Sequence, residues 1–227
     1  MKIVATHIYQ FKIPMVPFTI ATGTMHYAQN ILIKVVTDEG IIGYGECSAF
    51  PMIVGETQQS CYLLAKDFAS YWKGKNPLAI TERLNELDLI IAGNYTAKSA
   101  FDMALYDIAA KAANQPLYAF LGGSQKPIES DLTIGIDSPQ KMAAQAIDFV
   151  AKGVRIIKVK LGKHPIEDVE RIKAIRTAIG DEIILRIDAN QGWSSDDALG
   201  VLTNLSKYTI EFCEQPMHKY QDDFLPA

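Results

Sequence analysis

From Leu132 onward the chain repeats one pattern, a short apolar run with the spacing of a strand followed by an amphipathic stretch with the spacing of a helix. The strand-like segments are Leu132 to Ile136, Ile156 to Leu161, Ile183 to Ile187 and Thr209 to Cys213. A helical pattern follows each of the first three. The clearest runs from Ile166 through Val169 and Ile172 to Ile179 and stops at Gly180, a residue favoured just past a helix end. Ser194 or Ser195 is placed to cap the next helix. Strands joined by single helices in units of similar length pair in parallel, because a parallel neighbour needs a crossover. A (β/α) barrel and a doubly wound sheet both satisfy this. The first strand-to-helix turn carries no Gly-x-Gly-x-x-Gly and no phosphate loop, which puts the barrel ahead.

The chain before this repeat has a different rhythm. Ile31 to Val36 and Ile41 to Tyr44 flank Asp38-Glu39-Gly40, the turn chemistry of antiparallel strands. With Lys2 to Phe11 they predict a three-stranded meander. Between Gln58 and Ala113 the period becomes helical, with Leu84, Leu87 and Ile91 and then Ala97, Phe101, Leu105 and Ile108 on one face. Pro116 and Leu121-Gly122-Gly123 punctuate the end of that block. The expected class is therefore α/β, with an α+β domain over 1–124 and a (β/α) domain over 125–227.

At 227 residues and 48% hydrophobic content the chain can bury a sizeable core. Its 22 basic and 26 acidic residues give a net charge of -4, without a Lys/Arg cluster interleaved with aromatics, so nucleic acid is not an expected partner. Met1 to Phe11 alternates polar and apolar residues instead of forming the continuous apolar run of a signal peptide or membrane span. A soluble, cytoplasmic protein without a membrane partner is expected. Cys47, Cys61 and Cys213 are odd in number and far apart, which points to packing roles and to neither a disulfide framework nor a zinc site.

The residues with chemical potential stand at the C-terminal ends of three consecutive strands, where barrel active sites form. The second strand ends Lys158-Val159-Lys160, so the period of two points both ammonium groups to one face. Neighbouring cations disfavour each other's charge, and one such lysine is suited to act as a base near neutral pH. The third strand ends Asp188-Ala189-Asn190 and the fourth Glu214-Gln215-Pro216. Carboxylates on adjacent strand ends suit a hard cation such as Mg²⁺. Each piece alone has a bland counterpart, a solvated lysine rim, an ordinary strand-to-loop ending or a structural ion-pair cluster. Their order on successive strands favours chemistry. His164 and His218, in the following loops, are assigned no role.

In this order and at these intervals, Lys158-Val159-Lys160, Asp188-Ala189-Asn190 and Glu214-Gln215-Pro216 resemble the muconate lactonizing enzyme subgroup of the enolase superfamily, above all its dipeptide epimerases of the L-Ala-D/L-Glu type. Gly43-Tyr44-Gly45-Glu46-Cys47, Ser99 to Asp107 and Pro116-Leu117-Tyr118 resemble that family's capping domain. The resemblance implies a capping domain followed by about the first four βα units of a truncated TIM-like barrel. It implies Mg²⁺, with Mn²⁺ as the alternative ion, bound by Asp188 and Glu214. It also implies Lys160 as the acid/base at the substrate α-carbon, Lys158 as the group holding its pKa down, and Asn190 as an orienting residue. Thr19 to Thr24 and Ile53 to Thr57 resemble the two loops that close over substrate, with Thr24 and Ile53 as contact residues.

The expected partner is a small carboxylate, a dipeptide by resemblance, in a homo-oligomeric enzyme. The family pattern has a third acidic ligand on the fifth strand and an opposing lysine on the sixth. Neither has a counterpart before Ala227, so the 227-residue chain is expected to be inactive alone. o-Succinylbenzoate synthase-like elimination, muconate cycloisomerisation and a non-catalytic remnant or binding module are the alternative functions.

Overall fold

The computed structural model describes residues 1–224. Packing divides them into two units, one of Met1–Met15 with Tyr27–Pro127 and one of Val16–His26 with the residues from Ile128 onward. The segment Val16–His26 thus goes with the second unit although it lies well before the 124/125 boundary read from the sequence. Among the described residues, no helix is long and apolar enough to cross a membrane.

The first unit is built on a three-stranded sheet in the order β1 (Ile3–Ile20), β2 (Gly23–Thr37), β3 (Ile42–Ala49). β2 and β3 pair antiparallel, with Ile33 opposite Gly45 and Val35 opposite Gly43. The helices α1 (Pro51–Val54), α2 (Gln58–Trp72), α3 (Ile80–Ile90), α4 (Tyr95–Ala112) and α5 (Leu117–Phe120) follow. Alternation along β2 sends Ile31, Ile33 and Val35 into a core shared with Phe68, Trp72, Leu87, Phe101, Leu105 and Ile108. Phe101 meets Phe68 and Trp72 edge-on at 5.4 and 5.1 Å between ring centroids, the favoured geometry for aromatic quadrupoles.

Helix α4 lies unusually close to β3. A Cβ added at Gly45 would stand 1.8 Å from Ala100 O, and one at Gly43 would stand 2.1 Å from Ala104 O. Only hydrogen at those positions lets the helix backbone approach the strand. The N-terminus of α4 is closed from outside its own sequence, because Asn94 makes no side-chain cap. The buried Glu56 carboxylate instead accepts from Thr96 N–H at 3.1 Å and Ala97 N–H at 3.3 Å, a favourable placement of negative charge at a helix start.

The second unit is a four-stranded, all-parallel sheet in sequential order: β4 (Leu132–Ile134), β5 (Ile156–Lys160), β6 (Ile184–Asp188), β7 (Ile210–Glu214). Between them run α6 (Pro139–Ala151), α7 (Pro165–Ile179) and α8 (Ser195–Leu205), with a 3-10 helix at Lys219–Phe224. Gly180 terminates α7 in a left-handed φ of 72°, and Ser194 caps α8 by accepting from Asp197 N–H. All three helices bury against one face of the sheet. Met142, Ala146, Ile172, Ile175, Ala198, Val201 and Leu205 share a cluster with Ile157, Val159, Leu185 and Ile187. A doubly wound sheet would place helices on both faces and reverse its strand order at a switch point. Sequential order with one-sided helices is the arrangement of a (β/α) barrel wall, and it leaves the opposite face to the alternate residues of each strand.

The close α4–β3 approach generates a stability prediction. Gly45→Ala should destabilise the protein by about 1–3 kcal/mol through overpacking, read as a lower urea midpoint. Gly200→Ala, in α8 with open space around the new methyl group, should instead stabilise by up to about 1 kcal/mol.

Candidate functional site

On the helix-free face of the second sheet, the register sets Lys160 opposite Asp188 and Asp188 opposite Glu214. One residue from each of three strand ends therefore stands in a row. An unbroken register would have put Cys213 there. Leu185 pairs with Ile210 but Ile187 pairs with Cys213, so β7 carries one extra residue, and this bulge re-aims Glu214 to the face of Asp188. Lys158, two residues before Lys160, shares that face.

The four side chains form one ion-pair cluster. Lys160 Nζ donates to Asp188 Oδ2 at 2.5 Å, while Lys158 Nζ lies 3.1 Å from the same oxygen and 2.5 Å from Glu214 Oε2. Asp188 is 1% exposed, against 44% for Glu214. Burial works against the charge on Asp188, but the hydrogen bonds from Lys160, Asn190 N–H and Lys158 outweigh it and hold its pKa below the ordinary carboxylate value. Burial likewise opposes the charge on Lys158, and its bonds to Glu214 and Asp188 reverse that, raising its pKa. Asp188 Oδ2 lies within reach of both lysines, the arrangement that the ion-pair alternative in the sequence describes. In the strand row below, Arg186 pairs with Asp131 at 2.9 Å and Glu211 at 2.5 Å.

Asn190 follows in a left-handed conformation, φ 48°. Its backbone N–H donates to Asp188 Oδ1 at 2.8 Å, and its side-chain Oδ1 is buried without a hydrogen-bond partner. Thr24 stands in β2, just past the hairpin turn, where its hydroxyl pairs with that of Thr19 at 2.9 Å. Thr19 O accepts from Ile136 N–H beyond β4, and Ala21 approaches Gly192 in the loop after β6. The hairpin tip is thus seated on the strand-end side of its own unit. Ile53 belongs to the first unit, exposed on α1. The three cysteines are free thiols.

One group escaped the sequence reading. Asp168 is completely buried and hydrogen-bonded to Gly162, Arg171 and Trp193. Asp168 and Arg171 stand at the i,i+3 spacing of an ordinary surface pair, and the one signal in the sequence was that they share a helix face with Ile172 and Ile175.

An α+β unit followed in sequence by parallel βα units, with Lys-x-Lys and two carboxylates on successive strand ends, is the arrangement expected of the enolase-like class. Residues 3–122 match the mandelate racemase / muconate lactonizing enzyme N-terminal domain, and residues 141–225 match the enolase C-terminal domain-like family. The chain belongs to the mandelate racemase / muconate lactonizing enzyme family of the enolase superfamily. It is 46% identical over 211 residues to a D-Ala-D/L-Ala epimerase of Cytophaga hutchinsonii, a match covering 92% of this chain and 57% of that protein. The crystal structure of a dipeptide epimerase from Cytophaga hutchinsonii, complexed with Mg and D-Ala-L-Val, superposes with a TM-score of 0.97 at 44% identity, over 100% of this chain and 62% of that one. A dipeptide epimerase from Enterococcus faecalis, complexed with Mg and L-Leu-L-Tyr, gives 0.96 at 38% identity, over 99% and 64%. The chain spans less than two thirds of the length of these relatives.

The residues present fit a hard divalent cation. Asp188 and Glu214 are oxygen donors brought together by register, and the unpartnered Asn190 Oδ1 belongs to a residue two positions after Asp188. They are part of a ligand set, since among the described residues no three His, Cys, Asp or Glu side chains converge as a metal site.

The contrast in burial predicts the energetics of the cluster. Asp188→Ala leaves two partly buried ammonium groups without their shared partner and should cost on the order of 3 kcal/mol. Glu214→Gln, at a half-exposed position, should cost no more than about 1 kcal/mol. Chemical denaturation of the two variants checks the ranking.

Proposed function

We propose that this chain supplies the acid/base and metal-binding strand ends of a Mg²⁺-dependent epimerase that exchanges the proton next to a carboxylate or carboxamide in a dipeptide. The row of Lys160, Asp188 and Glu214 across three parallel strands is the observation that carries this reading. The names of the relatives support the substrate class.

In this reading Asp188 and Glu214 hold the cation, with Asn190 Oδ1 available to it or to a bound water. Bound there, Mg²⁺ supplies positive charge against the oxygens on which negative charge grows as the adjacent proton leaves. Lys160 removes the α-proton on its own face of the substrate or, in the reverse direction, delivers one there, and inversion requires a second acid/base on the opposite face, the opposing lysine that the family resemblance implies. Lys160 Nζ accepts a proton only as a neutral amine, so its ion pair with Asp188 has to open first. Asp188 Oδ2 serves both lysines in the structure, and any oxygen engaged elsewhere is withdrawn from them. Lys158 shares Asp188 Oδ2 and stands beside Lys160 as a second cation on the same face. Thr24, on the seated hairpin tip, is assigned to substrate contact.

The test is solvent-deuterium exchange by the protein expressed from the complete reading frame. With Mg²⁺, label should enter the α-carbon of Ala-Glu-type dipeptides as their configuration scrambles, and EDTA should stop it. Lys160→Ala should lower exchange by about 10²- to 10⁴-fold with metal binding largely retained. Unlabelled dipeptides together with conversion of another acid would move the assignment to syn-elimination or cycloisomerisation, and an inert protein would favour the binding-module alternative.

A further inference from the structure

Helix α7 carries a buried ion pair that this chemistry does not use. Asp168 is 0% exposed and Arg171 4%, and Asp168 Oδ1 accepts from Arg171 Nη1 at 2.7 Å. Two charges out of water persist only where their remaining donors and acceptors are also met. Here the surrounding loops meet them together with Glu167 of the same helix, whose Oε2 lies 2.8 Å from Arg171 Nη2. Asp168 Oδ2 accepts from Gly162 N–H in the loop after β5 and from Trp193 Nε1 in the loop after β6, both at 2.9 Å. Arg171 Nε donates to Asp137 O, in the segment after β4, at 2.8 Å. Trp193 in turn bridges to Met217 beyond β7.

The same loops also pack backbone against backbone. Gly162 has φ +95°, and a Cβ there would lie 1.9 Å from Ala189 O. One at Gly192 would lie 2.0 Å from Gly162 O. Leu161 N–H donates to Asp188 O at 2.8 Å. Displacement of the loop after β5 is therefore felt at Asp188 itself and at Ala189 beside it.

We propose that Asp168, paired with Arg171, is a positioning residue that locks the strand-end loops together and so fixes where Lys160 and Asp188 stand. Its functional consequence rests on the reading of Asp188 as a metal ligand; its structural consequence does not. Trp193→Phe removes one loop donor and leaves the ion pair whole, whereas Asp168→Asn removes the charge. Amide exchange reports the loops through Leu161 and through Asn190, whose N–H is held by Asp188 Oδ1. Ile175, buried on the same helix, is the internal control. Binding of Mn²⁺ by electron paramagnetic resonance reports the site.

In both variants, Leu161 and Asn190 should exchange at least about tenfold faster with Ile175 unchanged, and Mn²⁺ affinity should fall by about 10- to 100-fold, as for outer-shell partners of metal ligands. Unchanged protection at Leu161 and Asn190, or a loss shared equally with Ile175, overturns the proposal. So does faster exchange with unaltered Mn²⁺ affinity where Asp188→Asn lowers that affinity. If Asp188→Asn leaves Mn²⁺ binding untouched, the metal reading fails by itself, and the exchange data alone decide for or against Asp168. Should Asp168→Asn not fold, Trp193→Phe decides.

Discussion

A carboxylate with almost none of its surface in solvent keeps its charge only if cations meet it, and the strand-end face of the second unit is organised around how Asp188 is met. The desolvation cost of such an ion is several kcal/mol. Two lysines on one neighbouring strand offset it, and they face the same way only because a strand has a period of two. Those lysines would repel each other without Asp188 and Glu214 between them, so each charge in the cluster stands where it does because of the others. The other face of the same strands is the converse. Ile157, Val159, Leu185 and Ile187 carry no charge and are sealed under three helices. A single alternation thus separates the apolar face from the charged one.

This division explains what was legible in the sequence. The order Lys158, Lys160, Asp188, Glu214 at strand ends follows from periodicity and from the helix stop at Gly180 and cap at Ser194, all local signals. Residues whose placement depends on a distant partner were not legible. The bulge in β7 is defined only against β6, so sequence reading placed Glu214 at a strand end without the register shift that turns it beside Asp188. β1 continues to Ile20, past the end at Phe11 read from the sequence, and includes Pro14 and Pro17. As an edge strand it tolerates them, because proline lacks only the donor that an edge does not use. Asp168 was missed because a charge on a helix reads as solvated until the loops that cover it are known.

The first unit shows the same dependence in its packing. Gly43 and Gly45 in a strand read as weak points, yet they are what allows α4 to sit on β3. Glu56 reads as a loop acid, and it is the cap of a helix whose own N-terminal residue provides none. Its burial also anchors the chain directly after α1, where Met52, Ile53 and Val54 are exposed. An apolar turn facing water is thereby followed within two residues by a fixed point, a local contrast between exposed and anchored segments that propensity alone does not reveal.

Backbone conformation at the strand ends completes the argument. Asn190, Gln191 and Gln215 all have positive φ, between 46° and 64°, a region that costs a non-glycine residue on the order of 1 kcal/mol or more. They immediately follow Asp188-Ala189 and Glu214. Gln191 N–H donates to Gln215 O, and Gln191 Oε1 accepts from Lys219 N–H, so the strained positions hold one another. Glycine would relieve the strain at each of them and would lose these side chains or loosen the turn. That strain stands beside Asp188 and Glu214, and no non-glycine residue within the four strands below has a positive φ, so in this sheet the unfavourable conformations are confined to the rim. The apolar layer under the helices supplies the stability that this rim draws on.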